Sequence, residues 1–195
     1  RFYDAPDGSI KIDGRDIKDF TLKSLRRSIA YAPQDNFLFN DTIANNIAFG
    51  NEYDDEVSKF ASMADVDGDI TAFKDGYNTV LGERGVTVSG GQKQRISMAR
   101  AFYKQAPVLI LDDSVSAVDT ATERNILDNI KKERAGKTTL LMSHRISSVR
   151  DMDVIVYMDD GLVIGSGSHD ELYDTCEKYR LVADMQKLDE EGGNE

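Results

Sequence analysis

Two groups of polar residues in this sequence have the types and spacing needed to hold a charged ligand. Asp112 and Asp113 directly follow the apolar run 108–111. An open α/β sheet binds its ligands at the carboxyl ends of its strands, and a carboxylate placed there can hold Mg²⁺, usually through water. In the simpler interpretation Asp112 caps the next turn. We predict a magnesium site at Asp112.

The second group stands just ahead of a predicted helix over residues 93–104. It combines a hydroxyl, small residues and an amide: Ser89, Gly90, Gly91 and Gln92. Backbone N–H groups at a helix N-terminus, together with the helix dipole, favour a bound anion. A turn followed by an N-cap is the plainer interpretation. The sequence therefore predicts an anion site here.

Two further polar residues follow predicted strands. Gln34 comes after Pro33, which ends the strand 29–32, and His144 follows the strand 138–142. Each indicates little alone, since a Gln after Pro is ordinary and a lone His after a strand is more often structural. His169 is interpreted as a cap of the final helix.

The order of the predicted elements indicates an α/β fold. Strands alternate with helices at both ends of the chain, whereas the middle is helical, which predicts a parallel sheet with an inserted helical lobe. We expect an α/β lobe made of residues 1–34 and 105–195, and a helical lobe over 35–104. Further strands are predicted at 10–12, 154–157 and 162–164, with a hairpin turn at Asp159–Gly161 between the last two. Further helices are predicted at 21–27, 121–134 and 169–188, before an acidic tail over 189–195.

Composition excludes several classes of protein. The chain has 195 residues, a net charge of −11, 40% apolar residues and one cysteine. An internal disulfide is impossible, and a reducing compartment is the simplest interpretation. The negative charge argues against binding of nucleic acid by bulk electrostatics. No apolar run reaches the roughly 18 residues that span a bilayer.

Several of these stretches, in this order, resemble motifs of ATP-binding cassette (ABC) proteins. Ser89–Gln92 resembles the signature motif, and Val108–Asp112 resembles the Walker B strand. Tyr31–Gln34 resembles the Q-loop, and Ser143–Arg145 the switch histidine segment. The resemblance implies a P-loop NTPase-like (RecA-like) parallel sheet with an inserted helical subdomain, and an ATPase that uses ATP and Mg²⁺.

The loop GxxxxGK[ST], which holds nucleotide phosphates in such domains, is not found in the sequence. The stretch Gly136–Thr139 is similar, but residue 131 is Lys where the motif requires Gly, and the stretch leads into a strand. Arg1–Asp4 resembles the end of the helix that begins at that loop in exporters. We therefore expect a fragment from which the N-terminal strands and the Walker A segment are missing, and which alone is inactive.

The resemblance also implies roles for single residues. Asp112 and Gln34 would hold Mg²⁺, while Asp113, Gln34 and His144 would act on the attacking water. Ser89, Gly90, Gly91 and Gln92 would bind the γ-phosphate of ATP held by a second nucleotide-binding domain, and Asp119 would belong to the same nucleotide site.

Asp113 departs from the family pattern, in which a glutamate polarises the attacking water. Aspartate is one methylene shorter, and a displacement of about 1 Å can cost on the order of 10²-fold in rate. The stretch Leu111–Asp119 resembles a variant of heterodimeric exporters in which one ATP site is slow. Alternatively, the shorter side chain of Asp113 is adequate for polarising the attacking water.

Three stretches resemble exporters of the multidrug or lipid type: 37–43, 46–50 and 82–85. The resemblance implies that Phe37–Phe39 and Gly82–Gly85 contact the coupling helices of a transmembrane domain, at the cytoplasmic face of the cell membrane. The aromatic residues could equally belong to the core, and the glycine-flanked stretch could be a charged turn.

Two other functions stay open. One is a soluble ABC ATPase of translation or DNA maintenance, which would need no membrane domain. The other is a nucleotide-sensing domain that binds ATP and barely hydrolyses it, an interpretation that Asp113 favours. The transported substrate is not encoded in these residues.

Overall fold

The computed structural model describes residues 1, 3–49, 56–82 and 87–192. The strands are β1 (Lys11–Ile12), β2 (Arg15–Asp16), β3 (Ile29–Ala32), β4 (Val108–Asp112), β5 (Thr138–Met142), β6 (Ile155–Asp159) and β7 (Leu162–Gly167). The helices are α1 (Leu22–Arg27), α2 (Ile43–Ile47), α3 (Val57–Met63), α4 (Asp67–Ala72), α5 (Gly90–Tyr103), α6 (Thr120–Glu133), α7 (Ile146–Val149), α8 (His169–Thr175) and α9 (Glu177–Gly192).

The central sheet is parallel, with the strand order β3-β4-β5. Ile29 lies opposite Val108, and Asp112 lies opposite Met142, so the three strands end at one edge. Helices connect the strands, as a parallel sheet requires. The parallel sheet predicted from the sequence is therefore present.

One face of this sheet carries the main core. Leu109 and Leu111 are fully buried against apolar side chains from α2, α3, α5 and α6. On the other face, within the described ranges, Tyr31, Leu140 and Met142 are 53%, 51% and 41% exposed. The described helices therefore cover only one face of β4 and β5.

A second, smaller core joins β6, α8 and α9. It contains Ile155, Leu172, Cys176 and Tyr179. The hairpin predicted between β6 and β7 is present: its two loop residues, Asp160 and Gly161, both have positive φ (47° and 75°), as a type I′ turn requires.

The closing helix predicted over 169–188 is two helices, α8 and α9. The break falls at Cys176, whose backbone is extended and whose side chain lies in the second core. The residue that caps α8 is Ser168, which forms a capping box with Glu171. His169 is thus not the cap, and its Nδ1 lies 2.9 Å from the Tyr179 hydroxyl.

The helices α2 to α5 lie between β3 and β4 in the chain, and α5 packs against α2, α3 and β3. The division into an α/β lobe and a helical lobe stays a prediction. Within the described ranges, no helix has the length and apolar character to cross a membrane. Phe2, Gly50, residues 83–85 and 193–195, which belong to stretches discussed above, lie outside the described residues.

Candidate functional site

The carboxyl-terminal edge of the central sheet brings together most of the predicted polar residues. Asp112 is the last residue of β4, Gln34 follows β3 by two residues, and His144 follows β5 by two. Because the strands are parallel, these positions share one edge, where α/β sheets bind ligands.

Asp112 is held by a residue that the sequence interpretation missed. The Tyr31 hydroxyl donates a hydrogen bond to Asp112 Oδ2 over 2.9 Å. This bond, with a smaller contribution from burial, raises the pKa of Tyr31 above its ordinary value. Tyr31 lies opposite Ile110 in the parallel register, and side-chain alternation puts Ile110 and Asp112 on one face. The sequence alone does not give this register.

Asp113 occupies a sharp turn directly after β4. Its φ is +46°, a left-handed conformation that costs a non-glycine residue about 1 kcal/mol or more. Its N–H donates to the Met142 carbonyl over 3.0 Å, which continues the pairing with β5 by one residue. The turn aims the carboxylate toward the Q-loop segment, where Gln34 Nε2 lies 3.5 Å from Asp113 Oδ2.

The other carboxylate oxygen, Asp113 Oδ1, is buried and has no hydrogen-bond partner among the described residues. A buried carboxylate oxygen without a donor costs free energy, so such atoms concentrate at functional sites. An oxygen of this kind is able to accept a hydrogen bond from a water molecule or from a ligand.

Gln94, also missed at first, fixes the backbone after β4. Its side chain is 3% exposed. The Nε2 group donates to the Asp113 carbonyl over 3.1 Å, and Oε1 accepts from the Ala117 N–H over 3.1 Å. Gln94 therefore ties α5 to the turn that carries Asp113. Nothing in the sequence distinguished it from the polar residues beside it.

The N-terminus of α5 is capped within itself. Ser89 Oγ accepts from the Gln92 N–H over 3.1 Å, and Gln92 Oε1 accepts from the Ser89 N–H over 3.0 Å, which completes a capping box. The N-cap of the plainer interpretation is thus present, and the anion site stays a prediction. Within the part of the chain that the structure describes, the N–H groups of Gly90 and Gly91 make no hydrogen bond.

The two glycines differ in their surroundings. A Cβ atom on Gly91 would lie 3.2 Å from the Ala117 carbonyl oxygen, whereas one on Gly90 would meet nothing within 4 Å. Gly91 allows α5 to approach the loop after β4 closely, and Gly90 leaves the helix N-terminus open to a ligand or a partner surface.

Asp119 begins α6 as its N-cap. Its carboxylate accepts hydrogen bonds from the N–H groups of Ala121 and Thr122 over 3.1 and 3.0 Å. These bonds, the one from Thr122 first, lower the pKa of Asp119 below its ordinary value. The nucleotide-binding role predicted for Asp119 is not tested by this geometry and stays a prediction.

His144 is exposed on the segment between β5 and α7. Its carbonyl accepts a hydrogen bond from Gln186 Nε2 on α9 over 2.7 Å. The flanking residues are also bonded, since the Arg145 N–H donates to Ser143 Oγ over 3.0 Å. His144 therefore sits on a backbone that is fixed from outside the segment.

The predicted partner-binding residues form an aromatic surface beside α2. Phe37 is 63% exposed, and Phe39 stacks on Phe49 with ring centres 4.4 Å apart. The Arg100 guanidinium lies 5.4 Å from the Phe39 ring centre. A Cβ on Gly82 would lie 2.5 Å from Asn40 Oδ1, so the stretch 82–85 begins next to this surface; residues 83–85 lie outside the described chain.

The donor atoms at the sheet edge suit Mg²⁺. Asp112 and Asp113 supply carboxylate oxygens and Gln34 an amide oxygen, the hard ligands that Mg²⁺ prefers. The described ranges contain no group of three or more His, Cys, Asp or Glu residues able to hold a metal. In proteins Mg²⁺ usually keeps several waters and is bound through one or two carboxylates together with substrate phosphates.

A parallel sheet with acidic residues at its carboxyl edge, and a helix N-terminus with open N–H groups, define a nucleotide-binding domain. The sequence profile of the family described as "ABC transporter" matches residues 1–116. The chain belongs to the ABC transporter family.

Individual relatives agree with this assignment. The chain is 44% identical over 189 residues to the ATP-dependent lipid A-core flippase of Hahella chejuensis, covering 95% of this chain and 32% of the relative. It is 46% identical over 174 residues to the ATP-binding cassette sub-family B member 6 of Xenopus tropicalis, covering 88% of this chain and 20% of the relative. The chain therefore spans a third or less of these relatives' length.

Among solved structures, that of a bacterial Atm1-family ABC exporter with ATP bound superposes with a TM-score of 0.90 at 40% identity. The match covers 96% of this chain and 33% of the exporter chain. The predicted P-loop NTPase-like fold and the predicted resemblance to ABC exporter nucleotide-binding domains are confirmed. The relatives favour the exporter over the soluble ABC ATPase. The site residues and their roles stay predictions.

Proposed function

We propose that this chain works as one ATP-hydrolysing half of a dimeric exporter, at the cytoplasmic face of a membrane. The observation that carries the proposal is the sheet edge, where Asp112 ends β4, Asp113 follows it, and Gln34 Nε2 lies 3.5 Å from Asp113 Oδ2. These side chains can bind Mg²⁺ and position the water that attacks the phosphate group. Such a reaction has no covalent intermediate.

In this proposal Asp112 and Gln34 hold Mg²⁺, which when bound neutralises charge on the phosphate oxygens. Asp113 accepts a hydrogen bond from the attacking water through Oδ1, the buried oxygen that has no partner among the described residues. Gln34 keeps the opposite oxygen, Oδ2, in place, and His144 orients the water and the terminal phosphate from the neighbouring strand end. Positioning and electrostatics supply most of the catalysis in phosphate transfer.

The second partner in this proposal is another nucleotide-binding domain. The open N–H groups of Gly90 and Gly91, at the positive end of α5, favour an anion. Ser89 and Gln92 shape that helix end through their capping box. We propose that this end of α5 binds the γ-phosphate of ATP held by the partner, so that each ATP lies between two domains.

The aromatic surface supports a third contact, with coupling helices of a transmembrane domain. Phe37 is exposed, and the stretch that begins at Gly82 adjoins Asn40. An exposed aromatic cluster of this kind suits the apolar face of a partner helix. The surface carries Arg100 at its base, where hydrogen bonds to the Phe37 and Asn46 carbonyls fix it.

A second candidate function, a site that binds ATP and hydrolyses it slowly, is favoured by Asp113. Its side chain is one methylene shorter than glutamate, and Oδ2 already lies toward Gln34. In this alternative the domain contributes mainly its helix N-terminus to the partner's site.

The test is Mg²⁺-dependent ATP hydrolysis by the full-length protein in proteoliposomes. Asp112→Asn should lower turnover by about 10²-fold or more, because a charge that acts on the phosphates is lost. Asp128→Asn, an exposed aspartate on α6, is the matched control and should leave turnover unchanged. Equal turnover of the Asp112→Asn variant and the wild type would refute the proposed site.

A further inference from the structure

One amide side chain on α9 makes two hydrogen bonds to the backbone around His144. Gln186 Nε2 donates to the His144 carbonyl over 2.7 Å, and Gln186 Oε1 accepts from the Ile146 N–H over 2.7 Å. Both polar ends of one amide thus bind residues two positions apart. The contact joins α9 to the segment between β5 and α7.

The bond to Ile146 replaces a missing helix cap. Arg145 is the N-cap residue of α7 and makes no side-chain capping bond. The first N–H of a helix needs a partner from outside it. Gln186 supplies that partner, so α9 determines where α7 begins and how the backbone from His144 to Ile146 is placed.

The opposite side of the same segment is fixed through α6. Arg145 Nη1 lies 2.6 Å from Glu123 Oε2, and Nη2 donates to the Ser116 carbonyl over 2.9 Å. The Glu123 side chain is 4% exposed. Ser143 donates to Ser148 Oγ over 3.2 Å, and Ser148 donates to Glu123. The backbone carrying His144 is therefore held from α6 on one side and from α9 on the other.

A fixed backbone at His144 matters for catalysis, because the rate of hydrolysis depends steeply on the positions of the reacting groups. A displacement of about 1 Å at a reacting group can cost on the order of 10²-fold in rate. The exposed imidazole of His144 lies between Ser143, which is bonded to Ser148 on α7, and Arg145, which is paired with Glu123 on α6. Loss of one of these supports would move the imidazole without removing any group that contacts ATP.

We propose that Gln186 is a positioning residue for His144, so that α9 sets the geometry of hydrolysis at this domain. The inference rests on the proposed function, since it requires that His144 contribute to turnover. It adds that a residue on the closing helix, remote in sequence from every nucleotide motif, controls kcat through the His144 carbonyl and the Ile146 N–H.

The experiment is a double-mutant cycle on ATP turnover by the full-length protein in proteoliposomes. Gln186→Ala should lower kcat by about tenfold or more while KM for ATP changes little, because binding contacts are untouched. Gln186→Glu keeps an acceptor for the Ile146 N–H but loses the donor to the His144 carbonyl, so its kcat should fall between wild type and Gln186→Ala.

Two further variants make the result specific. Tyr173→Phe is the matched control: it removes the hydrogen bond from the Tyr173 hydroxyl to Asp184 over 2.7 Å, which joins α8 to α9 without touching His144, and should leave kcat unchanged. In a His144→Ala background, Gln186→Ala should cause no further loss, because the residue it positions is gone.

The outcomes separate the two proposals. If His144→Ala leaves turnover unchanged, the role proposed for His144 fails, and with it the inference. If His144→Ala lowers turnover but Gln186→Ala lowers kcat equally in both backgrounds, or not at all, Gln186 is a structural residue and the inference alone is overturned. Should Gln186→Ala fail to fold, Gln186→Glu takes its place in the cycle with the same criteria.

Discussion

The two ends of the candidate site differ in how their polar groups are satisfied. At the start of α5, Ser89 and Gln92 bond each other in a capping box, and only the N–H groups of the two glycines remain open among the described residues. At the end of β4, Asp113 Oδ1 is buried with no partner in the described part of the chain, and Asp113 has a left-handed backbone.

This difference indicates different tasks. A capped helix end is stable without a ligand and needs only a docked anion, so it suits binding to a partner domain's nucleotide. A buried carboxylate oxygen without a donor, on a strained turn, costs stability and suits a group that acts on a reacting water. Changes at α5 should therefore act on stability and dimer formation, and changes at β4 on rate.

Gln94 joins the two regions, so its replacement should have the largest effect on stability. Gln94→Leu removes the partner of the Ala117 N–H and one donor to the Asp113 carbonyl, which keeps its bond from Ser116 Oγ, and it buries no polar group in place of the amide. At about 1–3 kcal/mol for a buried unsatisfied group, we expect a loss of about 3 kcal/mol. Urea denaturation of the 195-residue chain measures it, with exposed Lys93→Ala as the control; a loss no larger than the control's would show that the two regions are independent.

Gly91 and Gly90 provide a matched pair at the helix end. Gly91→Val should destabilise by about 2 kcal/mol, because added atoms crowd a close backbone approach, here to the Ala117 carbonyl. Gly90→Val meets no atom within 4 Å at its Cβ and should cost less. The same denaturation series decides the point, and equal losses at both glycines would contradict the packing described for Gly91.

Tyr31 tests the β4 region of this comparison, because its hydroxyl binds the Asp112 carboxylate. Tyr31→Phe removes the hydrogen bond to Asp112 Oδ2. Partners of metal ligands contribute about tenfold or more to metal affinity, so half-saturation by Mg²⁺ in the ATPase assay should rise by about tenfold. Stability should barely change, because Tyr31 is 53% exposed. An unchanged Mg²⁺ requirement would mean that Tyr31 does not orient Asp112.

Ser89 should show the smallest effect. Ser89→Ala removes the acceptor of the Gln92 N–H, and loss of such a cap costs about 1 kcal/mol. Ser89→Asn keeps a capping oxygen and should recover most of that stability. If Ser89→Ala is as stable as Ser89→Asn in thermal denaturation, the capping box contributes nothing, and the contrast between the two ends of the site is lost.

The sequence predicted best the parts that local chemistry determines. An apolar run ending in two aspartates indicated β4 and its carboxylates. Ser89 followed three residues later by Gln92 is the pattern of a capping box, and α5 begins at Gly90, three residues before the predicted start at residue 93. The two-residue turn at Asp160 and Gly161 was equally visible, because few residues tolerate positive φ.

The remainder depends on contacts between distant residues. Glu123 and Arg145 pair across 22 positions, and Gln186 reaches His144 across 42; no local pattern indicates either contact. No Gly or Pro marks the break at Cys176 in the sequence. The break follows instead from the packing of Cys176 beside Leu172 and Tyr179 in the second core. The one-sided burial of β5 likewise follows from where helices pack.

The most direct test of the account is single-site turnover with Asp113→Glu in the assembled full-length protein, with the partner site disabled. The longer side chain carries its carboxylate farther toward the water while Gln34 and His144 keep their places. We expect turnover at this site to rise, by up to about 10²-fold if the short side chain is what limits it. ATP affinity should barely change, because only the transition state gains an interaction.

His144→Ala added to Asp113→Glu should remove the gain, since both residues act on the same water. A rise in turnover that His144→Ala abolishes is the result that this account predicts. No rise on Asp113→Glu would contradict it, and would place the limit on hydrolysis in the partner domain's contribution to the site instead of in the carboxylate at the end of β4.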